Sequence, residues 1–451
     1  MPNNPEKPTP PGSLGWPIIG ETIAYVKNPH RFFETRFEQH GPVFKTRILF
    51  DNVVCFVGPE AFTFFMSEPY FGREDANPSQ VRNLLYHHSL PLVDGAEHRQ
   101  MRSLVMQAFR VEALETYLRI VETATLPYLR QWEDDMEFAW LPECKKLSAT
   151  ICDALLTSTE PRLDATDLSR TLDAFLAGLT AVPLKLPWTR YGRALRNRDR
   201  LLDIIDDAIG RHRGNSYDDM LTELLNARGD DGAQLTDLQL RSQMVHMFFA
   251  AYGGIYRVLA LLCMNLAQNP DVMKRARDEV LQHTPEGPLN LEQIARLTFL
   301  DQVTREVRRH NRIFASTFFE RVTRSFDFRS YHVPQGWKAV GGIYTTMQDT
   351  HAFTNPQQFD PDRFGPDRAE DRRYENSYVP HGGGSKEGHR CPGEDLTTIL
   401  MKAVGVLLLR DYTWDLPPQD LDLDNAPNPL PRDGLKVRFQ RFSPTEVSRG
   451  A

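Results

Sequence analysis

Residues 381–409 read HGGGSKEGHRCPGEDLTTILMKAVGVLLL, a glycine-rich loop that ends in one cysteine and continues into an apolar segment with helical periodicity. The glycines permit backbone conformations closed to other residues and let a flat macrocycle approach the chain closely. A helix beginning near Asp395 would place its N-terminal amides close to Cys391 and help to hold a thiolate there. An isolated cysteine beside such a turn is more often a core residue, so its meaning depends on the rest of the chain.

Two charged motifs precede this loop. Glu306 and Arg309 stand three apart in EVRR, a spacing that puts them on one helix face where they can pair. The segment FDPDRF, residues 359–364, supplies Arg363 on a loop 28 positions before the cysteine. Each motif alone is ordinary, the first a surface ion pair and the second a turn. Their order along the chain is what carries information.

The composition is that of a globular protein. Of the 451 residues, 41% are hydrophobic and 25% are charged, which is unlike a disordered chain. The formal net charge of -7 gives no sequence-wide reason to expect nucleic-acid binding. The length exceeds the usual range of one domain, so it predicts either several domains or one unusually large helical one.

The cysteines and the N-terminus bear on the cellular compartment. No CxxC pair or even framework is present, which favours a reducing compartment. The first residues, MPNNPEKPTPPGSLGWPIIGETI, lack the continuous apolar run of a signal peptide or a membrane anchor. These features predict a soluble cytoplasmic protein. The five cysteines are Cys55, Cys144, Cys152, Cys263 and Cys391.

The hydrophobic periodicity predicts a mainly helical chain with a few short strands. The longest helical segment runs from a capping Thr236 to Asn269, and its roughly 33 residues would span about 50 Å. Segments 43–48 and 53–57 read as a strand hairpin that turns at Asp51-Asn52. The other predicted elements are helices within 97–213 broken by prolines at 182–188, helices over 271–283 and 291–310, strands within 324–346, and a helix after Cys391 through Leu408.

The ordered set of long helix, ExxR, PDRF and glycine-rich CPG loop closely resembles the cytochrome P-450 superfamily over nearly the whole chain. The segments PPGSLGWPIIGET and GAEHRQMRSLVMQAF, residues 95–109, extend the resemblance. The resemblance implies a mainly α fold with a small β lobe, a triangular helical prism that encloses heme b. It also implies that residues 1–451 form a single domain, with residues 1–16 as a proline-rich lead.

The resemblance assigns roles to residues of this chain. Cys391 is implied to be the axial ligand of the heme iron, and a thiolate in that place favours O–O cleavage. Glu306, Arg309 and Arg363 match a buried charged network that supports the cysteine loop. The implied contacts to the heme propionates are His98, Arg102, His389 and, as a weaker candidate, Arg321. For each of the four, the plain alternative is a solvated charge.

The cysteine loop departs from the common family pattern. Gly384 and Glu387 stand where an aromatic residue and a glycine are usual, and the loop is longer by about three residues. The sequence of this loop resembles that of the fatty-acid peroxygenase branch of the family, which uses hydrogen peroxide. The rest of the chain resembles the cyanobacterial and sterol- or retinoid-like branch.

The sequence of the long helix also differs from the common family pattern. It reads FFAAYGGIYRV over 248–258, so Gly253 and Gly254 occupy the positions of the acid and the alcohol that relay protons in typical monooxygenases. The AYGG sequence resembles the matching helix segment of allene oxide synthases and hydroperoxide lyases, which have an asparagine where Ala250 stands. Arg257 shares a helix face with Gly253, where it could hold a substrate carboxylate or could pair with a neighbouring helix.

A substrate pocket can be predicted only by region. The loop over 71–92 and the segment after the ExxR helix match substrate-facing loops, and the proline-broken stretch 179–188 would form a lid. Each aromatic residue in these regions is as readily ordinary core. The candidate lining residues are Tyr86, His88, Ala250, Tyr252, Phe314, Ala315 and Thr317.

Three functions are compatible with these motifs. The first is a heme-thiolate oxidoreductase, a monooxygenase or peroxygenase, that acts on a hydrophobic small molecule by hydroxylation, epoxidation or ring formation. Its oxidising equivalents would come from ferredoxin or another redox partner, or from hydrogen peroxide. The second is a heme-thiolate isomerase or lyase of a hydroperoxide-like substrate. The third is a catalytically silent heme-binding sensor or recruitment module.

Overall fold

The helices dominate a computed structural model that describes residues 7–67, 69–86, 88–158, 163–422 and 429–443. Residues 1–6 of the predicted proline-rich lead lie outside the described residues. The helices are α1 Thr22–Lys27, α2 Pro29–His40, α3 Pro59–Ser67, α4 Ser79–Leu85, α5 Gly95–Gln107, α6 Val111–Asp135, α7 Trp140–Leu156, α8 Ala165–Gly178, α9 Arg190–His212, α10 Met220–Asn226, α11 Asp237–Gln268, α12 Pro270–His283, α13 Leu291–Arg296, α14 Thr298–His310, α15 Ile343–Thr346 and α16 Glu394–Asp411.

Short strands form the smaller part of the molecule. A five-stranded sheet has the order β1-β2-β8-β5-β3, a three-stranded sheet has the order β4-β10-β9, and β6 pairs with β7. This arrangement confirms the predicted mainly α fold with a small β lobe. The strands are β1 Val43–Ile48, β2 Asp51–Phe56, β3 Phe71–Gly72, β4 Glu137–Ala139, β5 Glu320–Val322, β6 Phe326–Phe328, β7 Tyr331–Val333, β8 Lys338–Gly341, β9 Tyr412–Asp415 and β10 Lys436–Arg441.

The β1–β2 hairpin forms as predicted, but its turn lies two residues earlier. Asp51 already belongs to β2 and is paired with Ile48. The turn residues are Leu49 and Phe50, which have φ angles of 51° and 76°. Two consecutive residues in the left-handed region give the twist that suits a two-residue hairpin turn. The prediction followed the turn propensity of Asp-Asn, whereas the pairing register decides the position.

Helix α11 crosses the helical part of the molecule and forms much of its core. Thr236 caps it in a capping box with Gln239, as the sequence predicts. Among the described residues, α11 is the one helix long and apolar enough to cross a membrane, and 78% of its most apolar window is buried inside the protein. Its apolar character therefore reflects core packing against α7, α8, α14 and α16.

The remaining helical predictions agree with the structure apart from one break. The predicted helix over 291–310 is divided at Leu297, whose ψ of 76° ends α13 before α14 begins. The predicted proline break at 182–188 separates α8 from α9. Aromatic side chains fill the β lobe, where Phe56, Phe64 and Phe65 form a cluster.

Candidate heme site

The cysteine loop presents Cys391 just ahead of α16. The Cys391 backbone N–H donates to the carbonyl oxygen of His381 at 3.1 Å, which closes the loop on itself. Gly382 and Gly384 have φ angles of 80° and 79°, so the loop conformation requires glycine there. A Cβ on Gly383 would lie 2.6 Å from Asn376 Oδ1, which leaves no room for a side chain. The conformation and packing of the loop thus explain why glycine occupies all three positions.

The surroundings of Cys391 act on its thiol in opposite directions. Burial raises the pKa of the Cys391 thiol, because it disfavours the charged form. The Gly393 backbone N–H and the positive charges of Arg102 and Arg390 lower the pKa and offset part of that rise. These are the groups that would stabilise a thiolate, and the Gly393 N–H comes from the start of α16, as the sequence predicts.

Glu306, Arg309 and Arg363 meet in one buried cluster. Glu306 accepts from Arg309 Nε at 2.7 Å and Nη2 at 2.9 Å, and from Arg363 Nε at 3.2 Å. None of the three side chains has exposed surface. Arg309 also donates to the carbonyl oxygens of Met347 and Pro356, so the cluster ties α14 to the segments around it.

A second carboxylate, which the motifs do not predict, completes this cluster. Glu370 accepts from Arg363 Nη1 at 2.7 Å, and its side chain has no exposed surface. Arg368 donates to the other Glu370 oxygen at 2.9 Å. The cluster therefore has two buried carboxylates for two buried arginines, which satisfies the need to pair charges that are removed from water.

A contact between Arg308 and His381 links α14 to the cysteine loop. Arg308, which is 3% exposed, donates from Nη1 to His381 Nε2 at 3.1 Å. Burial, with the Arg308 charge, lowers the pKa of His381 to about 3, so the imidazole is neutral and accepts. His381 therefore joins α14 through its ring and Cys391 through its carbonyl oxygen. Sequence reasoning missed this residue.

His98 and His389 lie against each other on the other side of the loop. Their ring centroids are 4.0 Å apart, and His389 Nε2 lies 3.5 Å from Asp94 Oδ1. The Nε2 atom of His98 is buried and has no hydrogen-bond partner among the described residues. Burial and nearby arginine charges lower the pKa of His98 to about 4 and that of His389 to about 3. An acidic group placed here would satisfy the imidazoles and favour their protonated forms.

Arg73 supplies the main positive charge beside these histidines, and the motifs do not predict it. It is 5% exposed and pairs through Nε with Glu320 at 3.0 Å. Its charge is the largest electrostatic influence after burial on both His98 and His389. Arg321, in contrast, is exposed on β5, because successive strand residues point to opposite faces and Glu320 takes the inward one. The structure thus places Arg73, not Arg321, beside the histidines.

Arg102 reaches the cysteine loop itself. Its guanidinium donates to the carbonyl oxygen of Lys386 at 3.0 Å from Nε and 2.5 Å from Nη2. The side chain is largely buried on α5, one turn after His98. It can therefore hold the lengthened loop as well as an anionic group next to Cys391.

Among the described residues, one face of α11 has few neighbours in the middle of the helix. Ala250 is exposed although most of the residues before and after it in α11 are buried. Gly254 lies one turn later on the same face. Outside its own helix backbone, no atom of the described residues lies within 4 Å of the position that its Cβ would take. Gly253 differs, since its Cβ position lies 3.6 Å from both Leu176 of α8 and the Arg257 guanidinium. The space beside Gly254 is therefore the open one.

Tyr252 belongs to a helix interface and does not line this open face. Its hydroxyl donates to Asp173 Oδ1 at 2.9 Å, which joins α11 to α8. The side chain is fully buried and stands about 200° around the helix from Ala250. The predicted pocket position of Tyr252 is corrected accordingly, because its phenol needs a partner inside the protein and finds it on α8.

Arg257 is buried beside Gly253, as its helical spacing predicts. It is 5% exposed, and its guanidinium lies 5.1 Å from the centroid of the Tyr256 ring. Its position puts a buried positive charge next to Gly253, the residue at the acid position of the long helix.

The other candidate pocket residues differ in their exposure and in whether they form hydrogen bonds or ion pairs. His88 pairs with Glu97 at 2.9 Å, and its carbonyl oxygen accepts from Gln243 of α11, which fixes this loop on the helix. Thr317 accepts from the Gly341 backbone N–H, so its hydroxyl supports β8. The remaining candidates are half-buried Tyr86, which lies under the Arg198 guanidinium, buried Ala315, and Phe314, which is 37% exposed.

Comparison with known proteins decides the family. A family model described as Cytochrome P450 matches residues 10–438. The chain belongs to the cytochrome P450 family. Putative cytochrome P450 120 of Synechocystis is 31% identical over 96% of this chain and 97% of its own. Abscisic acid 8'-hydroxylase 1 of Arabidopsis thaliana is 27% identical over 98% and 93%. A solved structure of retinoic acid-bound cyanobacterial CYP120A1 is 29% identical, covers 97% of this chain and 100% of its own, and superposes with a TM-score of 0.88.

These matches confirm the resemblance to the P450 superfamily, whose members bind heme iron through a cysteine thiolate. The site of this cytochrome P450 fits such a group. Cys391 is partly exposed while the other four cysteines are buried. Among the described residues, the buried His98 Nε2 has no hydrogen-bond partner and Gly254 faces open space. Heme iron bound here would supply oxidative chemistry. The chain's own contribution would be to hold the thiolate at Cys391, to bind the propionates and to shape the space beside α11.

Replacement of His98 tests the assignment of the propionate side. We expect His98→Phe to release heme to apomyoglobin about tenfold faster than the unmodified protein, because a charge-assisted hydrogen bond is lost. Arg321→Gln is the matched control and should release heme at the original rate, since Arg321 is exposed. Equal rates for His98→Phe and the unmodified protein would place the propionates elsewhere.

Proposed function

We propose that this cytochrome P450 binds heme b through Cys391 and oxidises a hydrophobic small molecule that carries a carboxylate. Two relatives support the substrate class, because one is named for abscisic acid and the other is bound to retinoic acid, both apolar carboxylic acids. The oxidation would be a hydroxylation, an epoxidation or a ring formation. The protein would act in the cytoplasm, as a single domain and without nucleic acid.

The observation that carries the mechanistic part is the glycine pair on α11. Neither Gly253 nor Gly254 has a side chain that can hold or move a proton, and the space beside Gly254 is open. A reductive route with ferredoxin and dioxygen would then depend on ordered water or on the substrate for protons. A carboxylate drawn towards the Arg257 charge would provide a proton-carrying group at that place.

Hydrogen peroxide removes most of this requirement. It brings both oxygens and both electrons, so the chain has only to position it beside the thiolate-bound iron. We therefore propose that peroxide supports turnover at least as well as a reductant, ferredoxin and dioxygen do. The lengthened GGG loop, which resembles that of fatty-acid peroxygenases, favours the same route.

Rearrangement of a bound hydroperoxide is the second candidate function. It uses no external reductant and no proton relay, so the glycine pair favours it as well. Consumption of a fatty-acid hydroperoxide with no second substrate would distinguish it from peroxygenase activity, which needs a substrate to accept the oxygen.

The test first compares hydrogen peroxide with reductant, ferredoxin and dioxygen as the source of oxidising equivalents. It then introduces an acid and an alcohol at the two glycine positions of α11. Retinoic acid serves as the first probe, provided that it shifts the heme spectrum while retinol does so less. With peroxide we expect product from the unmodified protein, and with reductant, ferredoxin and catalase we expect little. Gly253→Asp/Gly254→Thr should raise the reductant-dependent rate about tenfold or more, because general acid catalysis becomes available.

The structure provides a matched control for this variant. Side chains at residues 253 and 254 would meet only ordinary contacts or open space, so the helix should accept them. Gly210→Thr makes a similar change in α9, where a Cβ also meets nothing within 4 Å, and should leave both rates unchanged. Efficient reductant-dependent turnover of the unmodified protein that survives catalase, without peroxide-driven product, would contradict the proposal.

A further inference from the structure

His246 of α11 lies on the same side of the helix as Ala250 and Gly254. Four residues separate it from Ala250, which corresponds to about 40° around the helix axis and about 6 Å along it. The His246 side chain is half-buried, although residues 242–245 before it and residues 247–248 after it are all buried. Its accessible part therefore opens towards the space beside Ala250 and Gly254.

The space that His246 faces lies inside the protein. Burial lowers the pKa of its imidazole to about 4, with a further contribution from the Arg73 charge. A histidine on the outer surface would be solvated and would keep its usual pKa, so the accessible part of this ring lines an internal space. The ring also contacts Phe249, at 6.2 Å between centroids, and Phe249 in turn packs on Phe175 of α8. The imidazole is thus held by the core and reaches into the space beside α11.

The Arg73 guanidinium connects this imidazole with the two histidines on the propionate side of the site. Its charge lowers the pKa of His246, and it also lowers the pKa values of His98 and His389. Because the interaction between charges weakens with distance, Arg73 must be near both α11 and the cysteine loop, which carries His389. A heme with its iron on Cys391 and its propionates beside Arg73 would then extend between the cysteine loop and α11.

Among the described residues, His246 is the one side chain on this side of α11 that can accept a proton near neutral pH. Gly253 and Gly254 have no side chain, and Ala250 has only a methyl group. Arg257 is a permanent cation and cannot accept a proton. The low pKa of His246 keeps its imidazole neutral near neutral pH, so one ring nitrogen is an acceptor.

We propose that His246 is the proton acceptor for hydrogen peroxide that binds on the side of the heme opposite Cys391, an inference that rests on the proposed function. One peroxide oxygen gives its proton to the imidazole, and the imidazole passes it to the other oxygen. The O–O bond breaks, and the second oxygen leaves as water with both protons. The remaining oxygen enters the substrate, whose electron pair reduces the peroxide.

A low affinity for protons suits His246 to this step. The imidazole takes the proton only transiently and releases it readily, as a carrier between two oxygens of one molecule must. No described residue forms a hydrogen bond with His246, so no side chain behind it would bring further protons from solvent. A reductive route with dioxygen needs such protons, whereas peroxide carries its own. The position of His246 therefore favours peroxide.

The test measures cyanide binding to the full-length, heme-loaded protein in its ferric state near neutral pH. Hydrogen cyanide must give up its proton when it binds iron, and an imidazole that accepts this proton donates a hydrogen bond back to the ligand. We expect His246→Leu to bind cyanide about tenfold more weakly. His246→Gln cannot accept a proton and should bind cyanide about tenfold more slowly. His283→Gln, at a half-buried position in the last turn of α12, is the matched control and should bind cyanide normally.

Peroxide-driven turnover gives the second measurement. His246→Leu and His246→Gln should form product from peroxide at least about tenfold more slowly, with unchanged heme content. Equal cyanide affinities and binding rates in all four proteins would overturn the proposal, whatever the turnover. A nitrogen-ligated heme spectrum that His246→Leu loses would overturn it too, because the imidazole would then bind the iron itself. Cyanide binding that depends on His246, without peroxide-driven product from any protein, would support the proton acceptor and contradict the proposed function.

Discussion

Reduced Cys391→Ser protein under carbon monoxide is expected to lack the red-shifted Soret band of thiolate-bound heme. Cys391 is the partly exposed cysteine just ahead of α16, and the other four are buried elsewhere in the core. A serine hydroxyl does not ionise near neutral pH and cannot act as the electron-donating thiolate. The absorption spectrum of the reduced carbon monoxide complex is the measurement.

A second cysteine provides the control for this result. Cys144→Ser changes a buried thiol on α7 by the same one atom and should keep the red-shifted band. A normal band in Cys391→Ser protein of full heme content would show that another residue binds the iron. A lost band in both variants would point instead to a general failure of folding.

Removal of Glu306 is expected to prevent accumulation of folded heme protein. Arg309 and Arg363 have no exposed surface, and Glu306→Ala leaves both with fewer carboxylate partners in the protein interior. Breaking a buried pair in this way costs about 3–5 kcal/mol of unfolding free energy, which is a large part of the stability of an ordinary domain. The measurements are the yield of soluble protein, its heme content and its melting temperature.

Two further variants distinguish the loss of the buried charged network from the loss of an ordinary surface ion pair. Glu306→Gln keeps the hydrogen-bonding oxygen and should lose less stability than Glu306→Ala. Glu292→Ala removes an exposed carboxylate that pairs with Arg296 within α13, and it should change stability by under about 0.5 kcal/mol. Wild-type melting temperature and heme content in Glu306→Ala would contradict the supporting role of the network.

The sequence predicts well the features that local chemistry specifies. The capping box at Thr236 and the following periodicity define α11, and the spacing of Glu306 and Arg309 on one helix face places them in contact. The contact of Arg363 with Glu306 was predicted from its place in the PDRF motif, which resembles that of the family. These predictions needed no knowledge of the pairing between distant segments.

Features that depend on tertiary pairing were missed. Arg73 lies in an irregular segment without a motif, and only the pairing of β3 with β5 brings it to Glu320. The contact between Arg308 and His381 likewise joins two elements far apart in the chain. The hairpin turn at Leu49 and Phe50 runs against turn propensity, because the register of β1 and β2 decides it.

The pairing of β2 with β8 has a consequence for how the chain folds during synthesis. Residues 53–56 lie parallel to residues 338–341, so this pair within the five-stranded sheet joins segments that are far apart in the chain. Contacts of such long sequence separation form late, since the intervening chain must be ordered before they are gained. The hairpin of β1 and β2 leaves the ribosome first and must wait with its apolar faces uncovered until β8 is synthesised. The β lobe, although small, therefore completes its largest sheet only after residues 338–341 have been synthesised.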